Sequence, residues 1–223
     1  MTKQAIPYRQ IRALYDETTI TVYQAYNKEI AEAAVKHQKL NASSKFSPTR
    51  MTWIKPSWAW MLYRSGYSYK DAGQERILAL RLTHAAFLSI LRKAVVANHV
   101  GNETTTDAKE RKAGRPRPTR VMVQWDPERS FRIGKLDYRS IQIGIPGTLV
   151  EELVDGTVEI EDVTEKARQL KKLLDENDKM DLGTLIERGL FPKEQEFEVD
   201  EDTKKILAMD MEIFVMDSAG DET

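Results

Sequence analysis

The apolar positions of this chain switch between two spacings, and each switch marks an element. Residues 19–26, TITVYQAY, are β-branched and aromatic and predict a strand. The following NKEIAEAAVKHQKL predicts a helix with Asn27 as its N-cap. MTWIK predicts the next strand. Pro56 and Ser57 then open a short helix, with Ser57 as N-cap and Gly66 just past its end, that carries Trp58, Trp60, Met61, Leu62, Tyr63 and Arg64. RILALRLT predicts a strand running into a helix over residues 84–99, HAAFLSILRKAVVANH.

Residues 101–119, GNETTTDAKERKAGRPRPT, are polar, charged and broken by Gly and Pro, which predicts a flexible loop. Two strands follow, RVMVQW and RSIQIGI. In the first, Val121, Val123 and Trp125 share one face and Met122 and Gln124 the other; in the second, Ile141, Ile143 and Ile145 oppose Ser140 and Gln142. Each strand therefore has a core face and a polar face. Val163, Ala167, Leu170 and Leu174 set the apolar stripe of a helix over residues 163–176, and the segment from Phe197 onward predicts an edge strand before an acidic, frayed end. The expected fold is α+β, a compact mixed or antiparallel sheet with flanking helices. The expected division is a core domain over residues 1–165 and an acidic extension over 166–223 packed on it.

Composition narrows the chemistry. At 223 residues with 41% hydrophobic content the chain has enough apolar surface for one sizeable core. Cysteine is absent, which excludes disulfides, thiolate catalysis and cysteine-ligated zinc, and the three histidines are scattered, so no metal is implied. With no apolar run of membrane-span length and no signal-like start, the expectation is a soluble protein of the cytoplasm, or of the nucleus, with no membrane partner. The net charge of −1 hides an asymmetry: residues 1–150 carry 25 Lys and Arg against 12 Asp and Glu, and residues 151–223 carry 9 against 23. A basic block of that size favours phosphate-bearing partners, nucleic acid among them. The opposing reading is that the acidic part folds across the basic part and neutralises it. Nothing in the pattern specifies an oligomeric state.

The stretch SPTRMTWIKPSWAWMLYRSGY, residues 47–67, concentrates three tryptophans, two tyrosines and three cations. Arg50, Lys55 and Arg64 interleave with Trp53, Trp58, Trp60 and Tyr63. Aromatic faces stack on bases while cations meet phosphates, and Ser57 at a helix start adds backbone N–H groups aimed at an anion. On the opposing reading, Trp58, Met61 and Leu62 are core and the arginines are clamps. Upstream, YRQIR spaces Arg9 and Arg12 to grip a phosphate together, or to pair with Asp16 and Glu17. QWDPER offers Gln124 on the polar strand face with Asp126 and Glu128 after it. A carboxylate at a strand end near arginines can steady positive charge on a ribose, or it can simply cap a Pro-containing turn. GRPRPTR reads either as an extended basic arm or as a solvated linker.

YRQIRALYDETTITVYQAYN, FSPTRMTWIKPSWAWMLYRSG and VQWDPERSFRIGKLDYRSIQIGI together resemble domain-of-unknown-function family 4291 over most of residues 7–165. That resemblance implies one compact domain and no activity. More loosely, VYQAY, a helix and FSPTRMTWIKPS are similar in layout to the start of an ADP-ribosyltransferase core, in which an Arg or His on the first strand and a Ser or Thr on the second hold NAD. Here Gln24 stands where Arg or His would be expected. The resemblance implies an NAD-binding enzyme acting on a nucleic-acid or protein acceptor. Arg9, Arg12, Arg50, Lys55, Ser57 and Arg64 would then hold phosphates, Tyr23 and Trp53 would line the base or nicotinamide pocket, and Glu128 with Gln124 would serve the ribose. The rival is a non-catalytic binder of RNA or nucleotides that uses the same basic aromatic surface. The GK[ST] loop of P-loop nucleotidases is missing.

Overall fold

A computed structural model describes residues 6–97 and 119–209. They form an α+β fold built on a three-stranded and a four-stranded sheet, with a separate two-stranded pair. β1 (Arg12–Ala13) leads into β2 (Thr19–Tyr26), which pairs antiparallel with β4 (Arg76–Thr83), itself paired antiparallel with β8 (Thr157–Asp162). In the second sheet β3 (Thr52–Ile54) pairs with β7 (Lys135–Ile145), β7 with β6 (Val121–Arg129), and β6, in parallel, with β5 (Ala94–Val96). Seven helices flank the sheets among the described residues: α1 (Lys28–His37), α2 (Trp58–Ser65), α3 (His84–Arg92), α4 (Val150–Gly156), α5 (Thr164–Glu176), α6 (Leu182–Glu187) and α7 (Glu201–Ile206). β9 (Gln195–Glu196) returns to pair with β1. None of these helices is long and apolar enough to cross a membrane.

The run TITVYQAY is apolar on both faces because β2 is covered on both. Ile20 and Val22 face a core shared by both sheets, with Phe87, Ile90 and Leu91 of α3 and Leu153 and Val154 of α4. Tyr23 faces a second core with Trp58 and Leu62 of α2 and Ala167, Leu170 and Leu174 of α5. Burying each of the large apolar side chains is worth about 1.5–3 kcal/mol against leaving it exposed. The strand faces follow the alternation: Val121, Val123, Trp125, Ile141, Ile143 and Ile145 are all buried in the first core. Asn27 and Ser57 cap α1 and α2 by accepting from Ile30 N and Trp60 N, and Gly66 ends α2 in the left-handed region at φ 56°.

Three elements differ from expectation. The helix predicted over 84–99 ends at Arg92, because Ala94–Val96 pair with Val121–Val123 and the β-branched Val95 and Val96 are better placed in that ladder. β6 and β7 run on toward their turn, to Arg129 and from Lys135, through a register shift between Pro127 and Arg129. Pro127 has no N–H to give the ladder, and an irregularity there lets the strands continue. Past Phe197 the chain forms α7, and the short strand precedes it. Residues 98–118, which hold most of the predicted loop at 101–119, and the acidic end from residue 210 lie outside the described residues.

β8 is an outer strand of its sheet, and unpaired strand backbone invites edge-to-edge association. Gln38, just past α1 in the left-handed region at φ 51°, covers it. Its side-chain amide donates to Ile160 O at 2.9 Å and accepts from Ile160 N at 2.8 Å, as a neighbouring strand would. Gln38→Ala should therefore lower unfolding free energy by about 1–3 kcal/mol, the cost of two lost hydrogen bonds at a half-buried edge. It should also raise the tendency to self-associate. Urea titration with light scattering checks both; unchanged stability would show that water replaces the amide without cost.

Candidate functional site at the junction of the two sheets

The two sheets meet where Tyr23 of β2 bridges to Lys55. Tyr23 N donates to Lys55 O at 2.7 Å and Lys55 N to Tyr23 O at 3.1 Å. Gln24 adds a side-chain link, its Nε2 donating to Trp53 O at 3.0 Å while its Oε1 accepts from the Tyr26 hydroxyl at 3.1 Å. Away from these contacts the strands part and leave a cavity of about 440 Å3, lined among others by Gln24, Arg50, Trp53, Lys55 and Arg64. Arg50 comes from the loop before β3 and Arg64 from the last turn of α2, where Nη1 donates to Gln74 Oε1 at 3.1 Å. Trp53 lies across Gly144, its partner on β7. A Cβ at residue 144 would come within 2.9 Å of the indole ring, so the glycine permits the ring to lie flat there.

Lys55 is the unusual member. It is 6% exposed, with Nζ 5.0 Å from the centre of the Trp60 ring. Burial, then the Arg64 charge, lower its pKa to about 7, while Asp126 pulls the other way. Asp126 sits on the polar strand face predicted from the alternation, paired in register with Ser140, as Gln124 is with Gln142. Gln142 Nε2 joins them, donating to Gln124 Oε1 at 2.7 Å and Asp126 Oδ2 at 2.6 Å. The arrangement offers cations and an aromatic face to an anionic, ring-bearing ligand, and a near-neutral amine able to move a proton.

A second cluster lies at the start of α2. Glu128, 4% exposed, accepts from Ser57 Oγ at 2.8 Å and from Arg129 N at 2.7 Å. Burial raises its pKa against the bonds from Arg129 N, Ser57 and Ser140. Glu194 accepts from Trp58 N at 2.6 Å, and burial together with the neighbouring Glu128 charge pushes it up to about 8. Arg12 donates to the Glu194 carbonyl at 3.0 Å and to Gln10 Oε1 at 3.2 Å. The Glu128 charge thus adds to burial in holding Glu194 toward its protonated form.

The structure thus gathers Arg50, Trp53, Lys55 and Arg64 in one cavity, with Gln124 joined through Gln142 to Asp126, the carboxylate that acts on Lys55. Ser57, Glu128 and Arg12 belong to the carboxyl cluster. Tyr23 contributes its backbone to the junction, but its ring turns to the opposite side and packs on Trp58, 4.9 Å between centroids. Arg9 lies far off: Nη1 donates to Ala208 O at 2.7 Å and its guanidinium stands over the Trp125 ring. Neither arginine is in an ion pair with Asp16; that carboxylate pairs with Arg81. Gln142 and Glu194 were missed. Gln142 is legible as a polar-face residue opposite Gln124, whereas nothing near Glu194 in FPKEQEFEVD marks a part-buried carboxyl.

Among the described residues no cluster of His, Asp or Glu is placed to hold a metal ion. A family model described as Domain of unknown function (DUF4291) matches residues 10–197, and the chain belongs to that family. The match runs through α5 and α6 to β9, whose neighbours Leu170, Leu185 and Phe191 share the second core with Trp58. No curated protein matches the chain.

The buried Lys55 and the part-buried Glu194 predict a pH profile. Glu194 rises from 4.5 unfolded to about 8 folded, so the folded state holds its proton longer and stability falls as pH rises between those values. Lys55 drops from 10.5 to about 7, so the unfolded state takes the proton first, and stability is regained as pH rises from about 7 toward 10.5. Urea titrations should show a minimum near neutral pH, with limbs of up to about 1.4 kcal/mol per pH unit. Glu194→Gln should flatten the acid limb and Lys55→Met the alkaline one. Unchanged limbs in both variants would contradict the burial of these groups.

Proposed function

We propose that this protein binds a nucleotide in the junction cavity, with NAD as the candidate, and is an enzyme of ADP-ribosyltransferase-like type acting on a nucleic-acid or protein acceptor. The observation that carries the reading is Lys55, a buried amine at the point where two strands part, in one cavity with Arg50, Arg64 and the Trp53 ring. Adjacent β2 and β3, linked by α1, agree with the layout that the resemblance to such cores implies. The cavity volume lies within the about 300–1,000 Å3 of small-molecule sites. Its donors suit a diphosphate: Arg50 and Arg64 fork onto oxygens and Lys55 supplies a point charge. An arriving anion would raise the Lys55 pKa, so that binding and proton uptake are coupled.

Bound there, NAD would supply a glycosidic bond prepared for cleavage. The chain's own carboxylate beside Lys55 is Asp126, oriented by Gln142, and it takes the electrostatic role first considered for Glu128. Glu128 instead fixes the start of α2 through Ser57 and so positions the helix that carries Arg64. The engagement of Glu128 by Ser57 and Arg129 N also favours the second reading, a non-catalytic binder of RNA or nucleotides using the same cavity.

Thermal shift with NAD, ADP, ATP and short RNA tests the binding, since a ligand that prefers the folded state raises Tm by mass action. Arg50→Ala and Arg64→Ala should each weaken the responding ligand by about tenfold or more while the fold persists, in line with losing a charge-assisted hydrogen bond. Label transfer from NAD to RNA or protein should fall about 100-fold or more in Asp126→Asn with NAD still bound. Binding without transfer in the wild type selects the non-catalytic reading. No response to any of the four probes removes both.

A further inference from the structure

The Lys55 amine has no polar partner of its own. Among the described residues Nζ donates no hydrogen bond and joins no ion pair, and the Trp60 ring centre stands 5.0 Å from it. The buried polar atoms left without a partner include Trp58 Nε1 and Arg129 Nε but not Lys55 Nζ. The amine therefore keeps contact with the open space of the junction cavity, although the residue as a whole is only 6% exposed. Met61 and Trp53 add apolar surface to the same cavity.

A lysine kept only to hold an anion works best when protonated, and an adjacent carboxylate or carbonyl would keep it so. This site does the reverse. Burial and the Arg64 guanidinium both oppose the ammonium form and bring its pKa to about 7, against the weaker pull of Asp126 from β6. The remaining charged groups of the cavity do not undo this. Arg50 and Lys45 are cations, and the Asp71 carboxylate is taken up by Gly73 N at 2.8 Å and Gln74 Nε2 at 2.6 Å. The Tyr26 hydroxyl is held neutral by burial and donates to Gln24. Desolvation and a neighbouring cation are the two means by which a lysine becomes a nucleophile near neutral pH, and both act on Lys55.

We propose that Lys55 is a carbonyl-reactive amine and that the junction cavity takes a small phosphorylated aldehyde, which the lysine captures as an imine. The neutral amine adds to the carbonyl carbon, and one of its protons passes through cavity water to the carbonyl oxygen. The nitrogen lone pair then expels that oxygen, which leaves as water with the second amine proton. A C=N bond replaces the C=O bond, and nothing is oxidised or reduced. Arg50 and Arg64 fork onto the phosphate and so present the aldehyde to Nζ. An aldehyde without phosphate would leave both arginines without a counter-charge, and a phosphate without a carbonyl would leave the amine unused. The proposal shares the cavity and its arginines with the nucleotide reading but needs no nucleotide. The two fail separately, since thermal shift with NAD reads one and covalent trapping reads the other.

The test incubates the full chain with limiting glycolaldehyde phosphate and sodium cyanoborohydride, which reduces an imine to a stable secondary amine. Peptide mass spectrometry then locates the labelled lysines. At pH 7 Lys55 should label at least about tenfold faster than the exposed Lys36 and Lys39 of the same sample, because far more of it is unprotonated. At limiting aldehyde the rate reports the free protein, so Lys55 labelling should level off above about pH 7 while that of the exposed lysines keeps rising. Glycolaldehyde, which lacks the phosphate, should label Lys55 at least about tenfold more slowly, and Arg50→Ala and Arg64→Ala should each narrow that difference. Lys55→Arg keeps the charge and should lose the fast-labelling site alone. The proposal is overturned if Lys55 stays unlabelled while exposed lysines react, if it labels no faster than they do or follows their pH profile, or if the phosphate makes no difference to its rate.

Discussion

Two reciprocal hydrogen bonds between the backbones of Tyr23 and Lys55 hold the two sheets at the point where they diverge. Each is individually modest, about 0.5–1.5 kcal/mol net, but both lie in buried backbone where loss without replacement costs more. The sequence around them explains why the contact is so short. Pro56 follows Lys55 directly and has no N–H with which to extend the ladder, and Ser57 then turns the chain into α2. β3 therefore ends where it touches β2, and the helix rises at once from the junction. Gln24 fills the next position with a side-chain amide instead of backbone, so the strands remain tied at Trp53 while their planes separate. The cavity is the space that this divergence opens.

The same geometry sets the electrostatics. Lys55 pairs through its backbone with β2, and its side chain is carried to the polar face beneath Trp60. At the start of α2, Ser57 and Trp58 N receive Glu128 and Glu194. The start of one short helix thus receives two carboxyls while a buried amine sits two residues upstream on the other side of Pro56, and Lys55 and Glu194 each adapt by shifting toward the neutral form. Burying charge without a direct partner costs several kcal/mol per group unless the group neutralises, so these positions are expensive as pure scaffold. The carboxyl end has a structural use, since it anchors β9 and its flanks to the helix N-terminus. The lysine end has no structural partner of comparable strength, which is why the functional reading rests on it.

Local pattern made much of the fold legible. TITVYQAY and RILALRLT are strands from first to last residue, both caps of α2 fall where Ser57 and Gly66 place them, and the polar and apolar faces of β6 and β7 follow the alternation. What was illegible is what depends on partners distant in sequence. Val95 and Val96 leave a helical pattern because Val121–Val123 offer them a ladder, and TVEIED shows only Ile160 to the core, too little apolar signal to mark a strand. At the site, the mixture of tryptophan and cation located Arg50, Trp53, Lys55 and Arg64 correctly as neighbours in one cavity. The sequence places Glu128 near Gln124, while in the fold the irregularity at Pro127 turns it toward Ser57; a register shift cannot be read from alternation alone.

The charge asymmetry finds its explanation in the ion pairs. Acidic residues beyond residue 150 do fold across the basic part: Glu152 pairs with Lys93, Glu159 with Arg81, Asp162 with Arg76 and Asp200 with Arg92. Neutralisation is selective, however. Among the described residues Arg50, Lys55 and Arg64 stand in no ion pair with an acid, although the chain has more acids than bases overall. Arg64 leans on the neutral Gln74, and Lys55 answers its surroundings by lowering its own pKa. A chain rich in carboxylates that leaves Arg50 and Arg64 outside any ion pair, beside a Lys55 able to take up a proton, gathers its positive potential in one cavity, where low-dielectric walls strengthen it. That concentration lowers the cost of bringing a polyanionic ligand out of water. On the proposed reading it would suit a ligand with its charge gathered at one point, as in a nucleotide diphosphate, better than an extended polyanion that would need cations spread along a surface.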